Sequence, residues 1–249
     1  MGSLTDRGFW QAYRRDESAR PSDSIFHRLL WGLLPHEAGL TYLEVGCAPG
    51  HNLAYFARRY GYSVTGLDYA GLELTRAVLA RLDIHDARLI YADFTTYESE
   101  ERYDVVASFG LIEHFDDPAW AVARQAAFVK PGGYLLIVVP NLRYANHLLY
   151  RAAMPAVLRA HNLAAMDLRV LHTALGDGFE LLACRYVFTC ALFFDAANPV
   201  VASRPWLRSA VAALRWPLAR LGLDDRPSRV FSPYILMAAR RRAAANPGL

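Results

Sequence analysis

Tyr42-Leu-Glu-Val-Gly-Cys-Ala-Pro-Gly50 joins a short apolar strand, carrying one acid, to a turn of small residues. A stretch of helical character, His51 to Tyr60, starts directly behind that turn. Glycines at 46 and 50 permit backbone conformations that other residues resist, and they let a ligand come close to the main chain. The amides that open the following helix point at the same spot. A strand that stops at such a turn and feeds a helix is the corner at which doubly wound α/β sheets receive a nucleoside.

The same rhythm continues on both sides of this corner. Ahead of it, Phe9, Trp10 and Tyr13 share one helical face. Ile25, Phe26, Leu29, Leu30 and Leu33 share another, with Asp23-Ser24 as its N-cap and Pro35 as its end. Residues 1–39 are expected to be a helical lead-in. Strands are predicted over Thr41–Val45, Ser63–Leu67, Arg88–Tyr91, Tyr103–Ser108 and Tyr134–Val139. Helices are predicted over His51–Tyr60, Gly71–Leu82 and Pro118–Val129, and Lys130-Pro-Gly-Gly133 reads as a turn before the fifth strand. The strands are continuous apolar runs, as expected where helices cover both faces of a parallel sheet.

Beyond Pro140 the rhythm breaks. Residues 141–166 read as a helical insertion, Met166–Leu175 as a helix and Glu180–Phe188 as a sixth strand. Residues 195–230 form a second insertion, and Phe231–Ala238 a seventh strand. The expected fold is α/β: a doubly wound, mostly parallel seven-stranded sheet with helices on both faces and its last strand antiparallel. Residues 1–249 are read as one domain with a cofactor-binding core over 41–140 and insertions that cap an acceptor site.

Composition supports a folded enzyme-sized domain. The 249 residues are 54% hydrophobic and 20% charged, enough for a large core and against global disorder. Net charge is only +3, with Arg240, Arg241 and Arg242 read as solvated charge after the last strand. No nucleic-acid partner is expected from so weak a positive balance. Cys47, Cys184 and Cys190 fit no metal spacing, and with no leader at the start they point to a reducing cytoplasm. No uncharged apolar run nears the ~20 residues that span a bilayer.

The turn itself separates two ligand classes. A dinucleotide fingerprint needs Gly-x-Gly-x-x-Gly, whereas this chain has Gly46-x-Ala48-x-Gly50. Glu44 would repel a pyrophosphate and suits a cofactor that carries an ammonium and a sulfonium. With that, Leu43-Glu-Val-Gly-Cys-Ala-Pro-Gly50 resembles the first motif of the class I, seven-stranded S-adenosylmethionine-dependent methyltransferases. Val64-Thr-Gly-Leu-Asp68 resembles the second, where an acid takes both ribose hydroxyls. Tyr91-Ala-Asp-Phe94 resembles the adenine clamp, and the segment from Tyr103 to His114 resembles the fourth strand and the loop beside the methionine end. The resemblance implies S-adenosylmethionine as cofactor, S-adenosylhomocysteine as product, and Glu44, Gly46, Cys47, Ala48, Gly50, Asp68, Tyr69, Asp93, Phe94 and Phe109 around them. Ala48 departs from the commonest central glycine.

The same resemblance points to methyl transfer onto an oxygen or nitrogen of a small, partly apolar molecule. His114 is the candidate base, since imidazole titrates near neutral pH. Glu113-His114 is similar to a pair in ubiquinone-pathway O-methyltransferases, some of which hold a divalent metal with a preceding carboxylate. Ser108-Phe-Gly-Leu-Ile112 offers no such acid, so no metal is expected. His161, His147 and Tyr144 are further acceptor-side candidates, while Trp10 and Tyr13 could fold over the cofactor. Residues 205–221, apolar with Trp206, Trp216 and three arginines, read as a cap, a dimer face or a membrane contact. A quinone-like acceptor at a membrane surface, a tRNA or protein substrate, and a non-catalytic binding protein are the competing readings. Monomer and homodimer both stay open.

Overall fold

The apolar runs pair side by side, as their continuity predicts. The computed structural model describes residues 2–13, 26–188, 206, 209, 213, 216–217, 220–222 and 226–243. The Asp23-Ser24 cap, Ile25, Cys190, the side chain of Tyr13 and most of the second insertion lie outside those residues. One sheet is built from β1 (Thr41–Val45), β2 (Ser63–Asp68), β3 (Arg88–Tyr91), β4 (Tyr103–Phe109), β5 (Val129–Pro140), β6 (Phe179–Val187) and β7 (Tyr234–Arg241). Their order is β3-β2-β1-β4-β5-β7-β6. The first five pair in parallel, and β7 runs antiparallel to both β5 and β6. The chain leaves β1 towards β2 and β3 on one side and returns to β4 on the other, which opens a crevice above the carboxyl ends of β1 and β4.

Side-chain alternation distributes the core over two layers. Leu43 and Val45 enter one layer with Val106, Leu135 and Ile137. Helix α5 (Pro118–Ala126), helix α8 (Leu168–Thr173) and the 3₁₀ turns Ile112–His114 and Leu163–Met166 cover that side. Tyr42 enters the other with Val105, Ala107 and Leu136, beneath α2 (His27–Leu30), α3 (His51–Tyr60) and α4 (Leu72–Arg81). Tyr42 stacks on Phe56 of α3 at 4.4 Å between ring centroids, tying the first strand to the helix it feeds. Helices α1 (Arg7–Tyr13), α6 (Tyr144–Ala153) and α7 (Pro155–Arg159) complete the elements named here, and the last two, which pack Tyr150, Val157 and Leu158 against the first layer, supply the helical insertion expected over 141–166. No helix among the described residues is long and apolar enough to cross a membrane.

Three expectations are corrected. Lys130-Pro-Gly-Gly133 is not a turn ahead of a strand but a bulge within β5, because Tyr103 pairs with Val129 and Val105 already pairs with Tyr134. A Cβ at Gly133 would stand 2.8 Å from the Asp104 carbonyl oxygen, and Lys130 Nζ lies 2.9 Å from Asp104 Oδ2, so the bulge is pinned at both ends. Helix α5 stops at Ala126 since Val129 is in the sheet. The seventh strand begins at Tyr234 and runs on to Arg241, so Arg240 and Arg241 belong to the strand rather than follow it, while Arg240 and Arg242 are exposed to solvent as expected. Arg240, Arg241 and Arg242 donate to the carbonyls of Gly132, Val129 and Asp177.

Candidate functional site

A cavity of about 340 Å³ opens above the ends of β1, β2 and β4. Its floor comes from the turns that follow those strands. Gly46 lies there with φ +74°, a conformation that residues other than glycine resist, and a Cβ on it would press on the Leu111 side chain at 3.0 Å. The Gly46 amide donates to the Leu67 carbonyl at 2.8 Å, which fastens this turn to β2. Asp68, at the tip of β2, lines the cavity and is 4% exposed. Its carboxylate accepts the amides of Ala48 (3.2 Å), Ala70 (2.7 Å) and Gly71 (3.0 Å). Those bonds fix the orientation of the carboxyl group on the cavity wall.

The roof is the start of the chain. Asp6 Oδ1 accepts the Phe9 amide at 2.7 Å and so caps α1. Leu4 donates its amide to the His114 carbonyl at 2.8 Å, Asp116 donates to Gly2 at 3.2 Å, and Ser3 bridges Phe115. Ser3, Thr5, Asp6, Arg7 and Trp10 thereby line the cavity from above. Trp10 meets the His114 ring edge-on, with centroids 4.6 Å apart.

His114 lines the cavity and is 4% exposed. Its Nδ1 lies 2.9 Å from the Ala160 carbonyl oxygen, which can only accept, so that nitrogen carries the proton and Nε2 is the basic atom of the neutral ring. Beside it, burial pushes the Glu113 carboxyl up to about 8. His161 comes in from the insertion with its ring 4.5 Å from that of His114, and burial holds its imidazole below the usual range. The ligand atoms of Glu113, His114 and His161 all lie within 4.8 Å of one another.

Of the residues singled out from sequence, Gly46, Asp68, Tyr69, Asp93, Phe94 and His114 meet on the cavity wall. Asp93 also caps its own turn, accepting the Thr95 amide at 2.8 Å. Glu44, Cys47, Ala48 and Gly50 stand behind the wall. Glu44 is 2% exposed and accepts from the Asn52 side chain at 3.0 Å. Cys47 packs towards β2, where its Sγ would stand 2.6 Å from a Cβ at Gly66. Gly50 has φ +100° and lets α3 start against Thr75 of α4. Phe109 is not on the wall, because it shares strand parity with Val105 and Ala107 and packs on Phe26 of the lead-in. Gly110 and Leu111 take its place. Sequence reasoning missed Ser3, Thr5, Asp6 and Arg7; the spacing of Asp6 before Phe9 carried a cap signal, and the others carried none.

Comparison with known proteins agrees with this geometry. A methyltransferase domain family matches residues 12–183. The ubiquinone biosynthesis O-methyltransferase of Hydrogenovibrio crunogenus is 37% identical over 121 residues, 47% of this chain and 50% of that protein. The trans-aconitate 2-methyltransferase of Methylobacterium radiotolerans is 33% identical over 141 residues, 55% of this chain and 50% of that protein. The chain spans about half the length of the curated relatives it matches. A methyltransferase of Thiobacillus denitrificans, solved with S-adenosyl-L-homocysteine, superposes with TM-score 0.59 at 19% identity, over 96% of this chain and 99% of that one. A [4+2]-cyclase superposes with TM-score 0.58, also at 19% identity, over 92% of this chain and 86% of that one, so likeness at this level is one of fold. The crevice, its acid-tipped second strand and the family match over more than half the chain agree: this protein belongs to the methyltransferase domain family and has the fold of the class I, S-adenosylmethionine-dependent members.

Proposed function

We propose that this protein is an S-adenosylmethionine-dependent methyltransferase that acts on an oxygen of a small, partly apolar molecule. The observation that carries the reading is one cavity lined together by a buried carboxylate, Asp68, the glycine turn at Gly46 and a buried histidine, His114. The residues present fit the cofactor. Asp68 would take the ribose hydroxyls, Tyr69, Asp93 and Phe94 the adenine side, and Gly46 would leave space for the methionine end. Bound there, the cofactor supplies a methyl group made electrophilic by its sulfonium. The chain's own part is to align, to exclude water beneath Trp10 and the strap it belongs to, and to promote loss of the acceptor's proton through His114. Oxygen is favoured over nitrogen because a hydroxyl keeps its proton at neutral pH and needs that help, and because one of the relatives named above is an O-methyltransferase.

Residues 1–249 act as one domain in this reading, with 141–166 roofing the acceptor. A cytoplasmic location fits Cys47 and Cys184, neither of which stands in a disulfide. Calorimetric titration with S-adenosylhomocysteine tests the proposal most directly. A saturable isotherm is expected, with none for NAD; heat from NAD alone would place the chain among dinucleotide binders instead. Assays with radiolabelled cofactor against phenols, carboxylic acids and amines then sort the acceptor.

A further inference from the structure

We propose that Glu113, His114 and His161 form a binding site for one divalent transition-metal cation beside the cavity, on whose wall His114 stands. The site joins two distant pieces of chain, and its assembly is specific. The Asn162 amide donates to the Glu113 carbonyl at 2.6 Å. The Asn162 side chain donates to the carbonyls of Phe115 (3.0 Å) and Asp116 (2.9 Å). His114 Nδ1 donates to Ala160 at 2.9 Å. Four hydrogen bonds thus lock residues 160–162 onto residues 113–116, and this lock carries His161 to the Glu113-His114 pair.

Both imidazoles are oriented in the way metal-binding imidazoles are. His161 Nδ1 lies 2.6 Å from the Val157 carbonyl, as His114 Nδ1 does from Ala160, so each ring gives its N–H to the backbone and offers Nε2 as ligand. Glu113 is 1% exposed, and its Oε2 accepts no hydrogen bond among the described residues. A dry carboxyl with an unsatisfied oxygen has a lone pair to give, and a cation can take it. Glu113 Oε1 and His114 Nε2 stand 3.9 Å apart, and all three ligand atoms lie within 4.8 Å. Closing to bonds of ~2.0–2.2 Å asks each side chain to move by about an ångström or less. Two imidazoles and one carboxylate suit zinc, cobalt or manganese rather than magnesium or calcium, and leave a position open.

The consequence for catalysis rests on the reading in the preceding subsection; cation binding itself does not. An acceptor hydroxyl in the open position shares a lone pair with the cation and releases its proton to solvent water. It keeps the O–H electron pair as an oxyanion. His114 then promotes deprotonation as a ligand, and His161 fixes where the acceptor oxygen sits.

The test uses the full chain stripped with a chelator and dialysed. Zinc should return at about one ion per chain by elemental analysis, and cobalt(II) should give visible absorption of a low-coordinate site. His161→Ala should abolish that absorption and reduce retained zinc at least tenfold, with an unchanged melting curve as the control for folding. Glu113→Gln, nearly isosteric, should do the same. No stoichiometric zinc in the wild type, or uptake that both variants leave unchanged, overturns the proposal. Titration of the same samples with S-adenosylhomocysteine separates the two ideas. His161→Ala that binds it normally while losing zinc supports a distinct cation site. Zinc uptake in a chain with no affinity for the nucleoside would sink the methyl-transfer reading alone.

Discussion

The floor and the roof of the cavity are held by different kinds of interaction. The floor turns follow β1, β2 and β4, each paired on both sides within the sheet, and Asp68 there is gripped by three backbone amides. Among the described residues the roof, residues 2–10, is tied by one isolated bridge with its two backbone hydrogen bonds, by the Ser3 hydroxyl on the His114 carbonyl, by the Arg7 guanidinium over Tyr91 and by the rings of Phe9 and Trp10 beside His114. Central parallel strands open only with the whole domain, whereas a strap tied by few bonds opens locally at a small fraction of that free energy. Affinity should therefore reside in the floor and the rate of exchange in the roof.

His114, where the two meet, offers the most severe test. His114→Ala should lower turnover by ~10²–10⁴-fold while calorimetric affinity for S-adenosylhomocysteine hardly changes; undiminished turnover would remove the histidine from the reaction. Next in size is the floor. Asp68→Ala should weaken the same affinity by ~1–3 kcal/mol, the scale for hydrogen bonds to a charged group. Its melting temperature should fall too, because the amides of Ala48, Ala70 and Gly71 lose their acceptor. Unaltered affinity would refute the ribose role.

The roof should respond in rate more than in affinity. Trp10→Ala deletes an edge-on contact worth ~0.5–1.5 kcal/mol, and stopped-flow release of S-adenosylhomocysteine should quicken. An affinity loss as large as that of Asp68→Ala would erase the distinction between the two surfaces. The smallest effect belongs to a residue outside both. Asp167 caps α8 through the Arg169 amide at 2.9 Å, so Asp167→Ala should cost about 1 kcal/mol of stability at pH 7 and leave ligand affinity alone. Hydrogen bonds from the Arg169 side chain and backbone hold the Asp167 carboxyl below its usual range. Its contribution is thus present above the unfolded pKa of ~3.9 and is lost as pH falls through the folded value. Urea melts of the two proteins should converge in acid, and a gap that stays constant would exclude the ionised carboxylate.

Much of the floor was legible in the sequence, since each early strand ends in turn chemistry that marks its boundary. Thr41–Val45 and Arg88–Tyr91 are the observed strands residue for residue. Continuous apolar runs, however, do not say which face a residue takes, and Phe109 was assigned to the cavity when its parity sends it to Phe26. Pro-Gly-Gly at 131–133 signals a turn, and only the partner strand reveals a bulge. Arg240 and Arg241 look like residues beyond the last strand until their pairing with Tyr134, Glu180 and Phe179 is known. Ser3 and Thr5 have no periodicity to betray them. The meeting of His161 with Glu113 depends on hydrogen bonds between segments far apart in the chain, which no local pattern encodes.

The position of β7 between β5 and β6 also dictates an order of events as the polypeptide leaves the ribosome. β1 to β5 can zip together once residue 140 has emerged, but β6 has no neighbour until Tyr234–Arg241 arrives. Throughout that interval the newly made β5 presents a long, hydrophobic, unpaired edge. A translational pause between residues 188 and 234 would prolong it, and chaperones or aggregation would compete for that edge before the wedge closes the sheet.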